Sequence, residues 1–197
     1  MVATVEAETG RVRVLASAAE LFVAQGYAGT TLRQIASAAG IKAGSVYHHF
    51  DSKEDLFTAV LDDGIVVMID AFEKATTLLA DTEVTADRLE AHVHAHLSAV
   101  FENGPFTTAH VTAFHSAPEE LRDRLVVRRD DYEAHWKTLV ADLLPDLSPS
   151  ARRLHRLLLF GAMNSAIEWF DPAGSVSLAK LSTMITDQFL NGVESAS

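Results

Sequence analysis

Residues 30–50, TTLRQIASAAGIKAGSVYHHF, indicate the fold of the N-terminal part of the chain. Thr31 followed three residues later by Gln34 is a capping box, which predicts that a helix begins at this point. Gly40 permits a reversal of the backbone between this helix and a second, short helix at 42–49. Two amphipathic helices joined by so tight a turn are typical of a helix-turn-helix.

The rest of the chain also has helical periodicity, and no segment shows sustained strand alternation. Gly26 can end a first helix, and Ser52 is the expected N-cap of a long helix that reaches about residue 79. Further helices are expected at 86–103, 105–116, 118–144, 150–170 and 175–192, because Gly, Pro and Asn cluster between them. The predicted fold is therefore all-α. A three-helix domain at 9–55 is joined by the long helix to a larger helical bundle, which completes a second domain at 56–194.

Charge is unevenly distributed along the chain, whose formal net charge is -11. Residues 9–50 contain four cations against the single acid Glu20, so this segment is weakly basic within an acidic molecule. A basic face permits contact with nucleic acid without requiring it. The chain has no cysteine, which excludes disulfides and thiol catalysis. Neither a secretory leader nor a long apolar run is visible, so we expect a cytoplasmic protein with no membrane partner.

The second helix of a helix-turn-helix enters the major groove of DNA and presents its first residues to the bases. Here those residues are Lys42, Ala43, Gly44 and Ser45. Lys42 can reach a guanine or a phosphate, and Ser45 can donate or accept a hydrogen bond. The residues that follow are expected along the phosphates: Tyr47, His48, His49 and Lys53.

Residues 11–57 resemble the DNA-binding domain of the TetR family of transcriptional repressors, through the stretch AAELFVAQGYAGTTLRQIASAAGIKAGSVYHHFDSKEDLF. The resemblance implies a homodimer that binds a palindromic operator in double-stranded DNA and is released by a small-molecule inducer held in the C-terminal bundle. Ala43 occupies a position that often reads a base in the family, and here it offers only a contact to a thymine methyl group. The other residues that match DNA-contacting family positions are Thr31, Arg33, Lys42, Gly44, Ser45, Tyr47, His48, His49 and Lys53.

The helix at 150–170 is apolar on two sides, so it needs two packing partners. One partner can be its own domain, and the second can be the same helix of another subunit. Family members usually dimerise through their last two long helices, which agrees with this pattern. The predicted interface consists of Leu158, Ala162, Ser165, Trp169, Leu181, Ile185 and Phe189. The alternative is a monomer in which this helix is deeply buried.

A ligand cavity is expected among the helices between residue 55 and about residue 144. Aromatic and aliphatic residues there predict a largely apolar inducer, and Arg128 interrupts one apolar stripe. Arg128 would pair with an anionic group of the inducer, unless its side chain extends to water. The predicted ligand residues are Met68, Phe72, Phe106, His110, Phe114, Arg128, Tyr132 and Trp136.

Two other functions remain open from the sequence. His92 and His96 share a helix face, as in helical zinc sites, so an all-helical metal-dependent hydrolase is the alternative. The catalytic glutamate of such a motif is absent from the residues between them. The second possibility is a DNA-binding protein with a solid core that is regulated by a protein partner. We expect no enzymatic activity, no cofactor and no metal.

Overall fold

A computed structural model describes residues 2–79, 85–102 and 104–194, and over these ranges the chain is helical, without strands. The all-α prediction is confirmed. The elements are α1 (Val2–Gly29), α2 (Leu32–Ala38), α3 (Ala43–Val46), α4 (Lys53–Leu78), α5 (Ala86–Glu102), α6 (Pro105–Ala113), a 3-10 turn (Phe114–Ser116), α7 (Glu119–Leu143), α8 (Pro149–Trp169) and α9 (Leu178–Glu194).

The helix caps and the helix break form at the residues where the sequence predicts them. The Thr31 hydroxyl accepts the Gln34 amide N–H at 3.3 Å, and the Gln34 side chain accepts the Thr31 N–H at 2.8 Å. Ser52 Oγ likewise accepts the N–H of Asp55 at 3.0 Å, in the first turn of α4. Gly26 interrupts α1 with φ 68°, a conformation that favours glycine. The N-caps at Thr31 and Ser52 stabilise the starts of α2 and α4.

Three predicted helices differ from the structure by about three residues at one end, and one of them is the helix expected at 105–116, which ends at Ala113 before a 3-10 turn. The helix expected at 42–49 is only Ala43–Val46, and a turn follows in which the Phe50 N–H reaches the Val46 carbonyl at 3.0 Å. This turn places both the Phe50 and the Val46 side chains in the core. The last helix begins at Leu178 rather than 175, because Ser177 Oγ accepts the N–H of Lys180 at 3.2 Å.

The chain forms two compact units. The first unit contains residues 1–66 and 104–128, and the second contains residues 67–103 and 129–197. The functional boundary after residue 55 stays a prediction. In the first unit, Phe57 lies edge-on to Phe22 and Tyr27, with ring centroids 4.8 and 5.0 Å away. Each such buried ring contributes roughly 1.5–3 kcal/mol, so this apolar core fixes the helices that present α3.

In the second unit, α5 packs against both α8 and α9. Its buried face is largely aliphatic, with Leu89, Val93 and Leu97 fully enclosed, but His92 and His96 lie on it as well. The described helices include none long and apolar enough to cross a membrane.

Candidate functional site

The short helix α3 is anchored on one side and open on the other. Val46 is fully buried, while the side chains of Lys42 and Ala43 are exposed and Tyr47 keeps 59% of its surface accessible. A Cβ added to Gly44 would meet no atom within 4 Å. We call residues 42–45 together with 47 and 48 the α3 face. It is a largely exposed surface that another molecule can approach closely.

Thr31 and Arg33 lie at the start of α2, and both are exposed. The Thr31 hydroxyl is also within 2.7 Å of Gln34 Oε1, so its position is held by the capping box. Arg33 forms no ion pair within the described ranges. Its guanidinium is therefore available to a phosphate.

His49 and Lys53 are placed differently from the rest of the predicted DNA contacts. A Cβ added to Gly10 would lie 3.1 Å from His49 Nε2, so this ring packs against α1. Lys53 Nζ donates to the carbonyl oxygens of Tyr27 at 3.0 Å and Thr30 at 3.1 Å. The ammonium also lies 4.0 Å from the Tyr27 ring centroid. In this arrangement Lys53 joins α4 to the end of α1.

Tyr27 strengthens the same junction. Its hydroxyl donates to Glu54 at 2.6 Å, and its N–H donates to Ser116 Oγ at 2.9 Å. The hydrogen bond from Tyr27 holds the pKa of Glu54 below its usual range, and burial raises the pKa of Tyr27. Sequence reasoning missed this junction because its members are separated by up to 89 residues.

In the second unit a cavity of about 480 Å³ opens between α4, α5 and α7. Because the sequence predicts a ligand cavity among these helices, we use the name inducer cavity for it; it is lined by Phe72, Thr76, Arg88, His92, Asp131, Ala134, His135, Thr138, Leu139 and Asp142. Behind it, Phe72 packs edge-on against Trp136 at 5.3 Å and Tyr132 at 6.4 Å. Three of the predicted ligand residues therefore meet beside this cavity. Met68, a fourth, is buried.

The remaining predicted ligand residues belong to the first unit. Phe114 is part of its apolar core, and Phe106 packs against that core. His110 Nδ1 donates to the Leu61 carbonyl at 3.1 Å. Arg128 is exposed, as expected for a side chain that extends to water. The eight residues are thus divided between two units, and each set has its own packing partners.

His92 and His96 use all four ring nitrogens within the protein. His92 contacts the Arg88 carbonyl at 2.7 Å and Thr76 Oγ1 at 2.9 Å. His96 contacts the Tyr132 hydroxyl at 2.8 Å and Asn164 Oδ1 at 3.1 Å.

A metal would have to displace one of these bonds at each ring. Over the described ranges, no group of three or more potential ligands is placed to hold an ion. The arrangement gives the hydrolase hypothesis no support.

Buried polar atoms without partners are a further feature of the second unit. Arg88 Nε and Thr186 Oγ1 lack a hydrogen-bond partner within the described structure. Such atoms are uncommon in folded proteins, and a bound ligand is one explanation for them. Arg88 lines the inducer cavity. Burial lowers the pKa of His92 on the same wall, which favours its neutral form.

One face of α8 leaves apolar side chains in solvent. Leu158 is 70% exposed and Trp169 is 62% exposed, and Ala162 and Ser165 between them are also exposed. We call this stripe, with Leu154, the α8 face. A groove of about 290 Å³ on it is lined in part by Leu158, Ala162, Ile185 and Phe189. Leu181, Ile185 and Phe189 are buried, and of these Ile185 and Phe189 line the groove.

Comparison with known families gives two matches that together span most of the chain. Residues 14–60 match the model described as bacterial regulatory proteins, tetR family. Residues 82–193 match the model described as tetracyclin repressor-like, C-terminal domain.

Similar proteins and structures agree with these matches. The transcriptional repressor KstR2 of Rhodococcus jostii (strain RHA1) is 28% identical over 200 residues, covering 94% of this chain and 91% of the relative. A TetR-family regulator from Bordetella parapertussis 12822 superposes with a TM-score of 0.82 at 24% identity, covering 92% of this chain and 94% of that one. AibR in complex with isovaleryl coenzyme A and operator DNA superposes with a TM-score of 0.74 at 21% identity, covering 91% and 97%.

Proposed function

Because the chain belongs to the TetR family of bacterial transcriptional regulators, we propose that it is a repressor that binds a palindromic operator as a homodimer. The α3 face is the observation that carries this proposal. Lys42 and Ser45 stand at the open start of the groove helix, one turn apart. A lysine there reads a guanine, and a serine bonds to either kind of base edge.

The other predicted contacts divide by their placement. Tyr47 and His48 are exposed beyond the groove helix, and Thr31 and Arg33 are exposed at the start of α2, so we assign these four to phosphates. We assign His49 and Lys53 first to holding the helix-turn-helix against α1 and α4. Ala43 contributes a methyl contact to thymine.

Selection of bound fragments from random-sequence DNA tests this proposal. Two subunits should select a palindrome whose half-sites are about one helical turn, or a multiple of it, apart. Lys42→Ala should cost roughly 1–3 kcal/mol and relax preference at one base pair per half-site. Lys180→Ala, on α9, is the matched control and should leave binding unchanged. Selection of no sequence at all would contradict operator recognition.

Gly44 allows a second test of the same face. Gly44→Gln should fold normally, because the added side chain meets open space. It should nevertheless abolish operator binding, because the helix could no longer approach the base edges. Circular dichroism establishes the fold, and a gel-shift titration measures binding. Unchanged DNA affinity in this variant would place the contact surface elsewhere.

For the dimer, the supporting observation is the α8 face. Monomeric proteins rarely leave large contiguous apolar patches in water, and the exposed Leu158 and Trp169 flank the small residue Ala162. A second copy of the helix would cover this stripe and fill the groove above Ile185 and Phe189. A partner protein of another kind is the competing occupant.

Sedimentation analysis measures directly whether the protein is a dimer. Ala162→Glu should convert a dimer into monomers, because it buries an unpaired charge at the centre of the contact. Leu78→Glu, at a leucine that is 85% exposed on α4, introduces the same charge away from the α8 face. The control should remain dimeric. A dimer that survives Ala162→Glu places the interface elsewhere.

The inducer cavity supports an amphipathic ligand. Its volume falls in the range of small-molecule sites. Phe72 and Leu139 offer an apolar wall, and Arg88 Nε, which has no hydrogen-bond partner within the described residues, offers a donor to a polar group of the ligand beside the carboxylates of Asp131 and Asp142. We therefore assign the polar contact with the ligand to Arg88 rather than to Arg128. AibR, with a similar fold, binds an acyl thioester that combines both chemistries.

Thermal shift with fatty acids, acyl thioesters, steroids and sugars tests this assignment, followed by release of the operator by each stabilising compound. Ala134→Trp should fill the cavity, keep operator binding and abolish release, whereas Ala134→Ser should behave as the native chain. Stabilisation by sugars alone would contradict an amphipathic inducer. Release that persists in Ala134→Trp would place the site elsewhere.

A further inference from the structure

A second cavity in the second unit has a chemistry that the proposed function does not use. It has a volume of about 480 Å³ and lies between α7 and the first turns of α8. Its lining includes Lys137, Arg152, Arg153 and Arg156, and no acidic residue lines it. The whole chain has 16 lysines and arginines against 27 acids. A cavity lined by four cations is therefore unusual in a chain that has an excess of acidic residues.

Two of these cations are fixed in position by the protein. Arg152 donates through Nε to the Leu144 carbonyl at 2.9 Å and through Nη2 to the Pro145 carbonyl at 2.6 Å. Carbonyl acceptors orient the guanidinium without cancelling its charge. Arg156 Nη1 contacts Glu133 at 2.5 Å. Glu133 also contacts Arg129 at 3.1 Å, so one negative charge is shared between two guanidinium groups.

The other two cations are not paired. Lys137 and Arg153 are exposed, and neither forms an ion pair over the residues that the structure describes. The cavity therefore keeps a positive surplus, with two oriented arginines and two adjustable side chains at its edge. Such a site holds the charge of an anion at several points, which a single surface lysine cannot do.

The rest of the lining indicates what kind of anion fits. Val140, Ala141 and Pro149 are apolar, so the cavity has room and surface for an organic body beside the charged group. The positive end of the α8 dipole adds to the potential. A concave site of this size suits a small molecule rather than the extended backbone of DNA.

We propose that this cavity binds the phosphate group of a small phosphorylated ligand, as a second effector site of the regulator. It shares no lining residue with the inducer cavity. On α7 the lining positions 137 and 140 lie on a different side of the helix from 131, 135 and 138, because successive helical residues are about 100° apart, whereas Ala134 and Ala141 lie two turns apart on the face between the two sites. The two sites are therefore distinct, and this one does not depend on the identity of the inducer.

Isothermal titration of the full chain with inorganic pyrophosphate, at constant ionic strength, tests the proposal. Saturable binding of one pyrophosphate per chain is expected. The double variant Lys137→Gln/Arg153→Gln should weaken binding by about tenfold or more, because two charge-assisted contacts are lost. The matched control Lys74→Gln/Lys180→Gln removes the same net charge elsewhere and should bind as the native chain does.

Further titrations distinguish the sources of the phosphate. Tighter binding of adenosine monophosphate than of inorganic phosphate identifies an organic ligand that uses the apolar wall, and equal binding identifies the free ion. No saturable binding of any of these probes would overturn the proposal. Equal losses in both double variants would do so too, since they would indicate general attraction by net charge. Weakened operator binding in Lys137→Gln/Arg153→Gln, without phosphate binding, would instead identify a DNA contact.

Discussion

Among the described residues, buried polar side chains have hydrogen-bond partners in the first unit, whereas in the second unit some have an atom without one. Thr30 Oγ1 reaches a backbone carbonyl at 2.8 Å, and His110 Nδ1 reaches one at 3.1 Å. Two buried polar atoms without a partner are found in the described structure, on Arg88 and Thr186, and both belong to the second unit. Both units contain a cluster of aromatic rings, and in the second unit the cluster that includes Phe72 and Trp136 borders a cavity.

This contrast matches the two activities we propose. A DNA-reading face must be held rigidly, since its contacts are made by a few side chains of one short helix. A ligand-binding bundle must keep space and unpaired polar atoms for its ligand, at some cost in stability. The difference therefore predicts that equivalent substitutions in the two units will have unequal effects.

The largest effect is expected for Phe57→Ala. Phe57 is fully enclosed, and its ring lies against two other rings, so its loss should lower the free energy of unfolding by about 3–5 kcal/mol. Phe72→Ala in the second unit should cost less, because one side of that ring already borders the inducer cavity. Urea denaturation of both variants measures the difference. Equal losses would mean that the cavity wall is as tightly packed as the first core.

The second largest effect is expected for Lys53→Met. If the ammonium joins Tyr27 to Thr30 as the structure places it, the variant should lose roughly 1.5–3 kcal/mol of stability, the range for hydrogen bonds to a charged group. Lys42→Met is the matched control and should change stability by less than about 0.5 kcal/mol. Denaturation and DNA affinity across salt concentrations separate the two functions. Unchanged stability with a salt slope lowered by about one would restore Lys53 as a phosphate contact.

A pair of isosteric substitutions tests the difference between the two units in the hydrogen bonding of their buried polar side chains. Thr30→Val removes a hydroxyl that donates to the protein, so stability should fall by about 1–3 kcal/mol. Thr186→Val removes a buried hydroxyl that has no partner, so stability should stay equal or rise by up to about 1 kcal/mol. Thermal denaturation at one pH compares them. A loss in Thr186→Val as large as in Thr30→Val would show that Thr186 is satisfied.

The smallest effect concerns pH. Burial holds the pKa of His92 below its ordinary value of about 6.5. The unfolded chain therefore binds a proton more readily than the folded chain, and stability falls as pH drops through that value. The loss is complete below the folded pKa. His92→Gln should show a shallower decline between about pH 7 and 5, and denaturation at several pH values measures it. Identical slopes would mean that His92 does not contribute to the decline.

Much of the first unit follows from short-range patterns in the sequence. The capping box of Thr31 and Gln34 and the glycine at 26 depend on residues within one or two turns, and all three act as expected. The α3 face is equally local, because a helix four residues long determines which side chains face outward together. For this reason the family resemblance and the exposed groove residues could be found without a structure.

The second unit depends on contacts that no local pattern contains. Tyr132 and Asn164 reach the two nitrogens of His96 across 36 and 68 residues. The spacing of His92 and His96 indicates a metal site equally well, and only the packed helices show that both rings are bonded within the protein. The predicted ligand residues were likewise chosen by apolar periodicity, which marks a buried face without saying which core it enters. The sequence by itself determined the helices, their caps and the family; tertiary structure alone decided where Lys53 donates and which aromatic rings meet, because those contacts join helices distant in the chain.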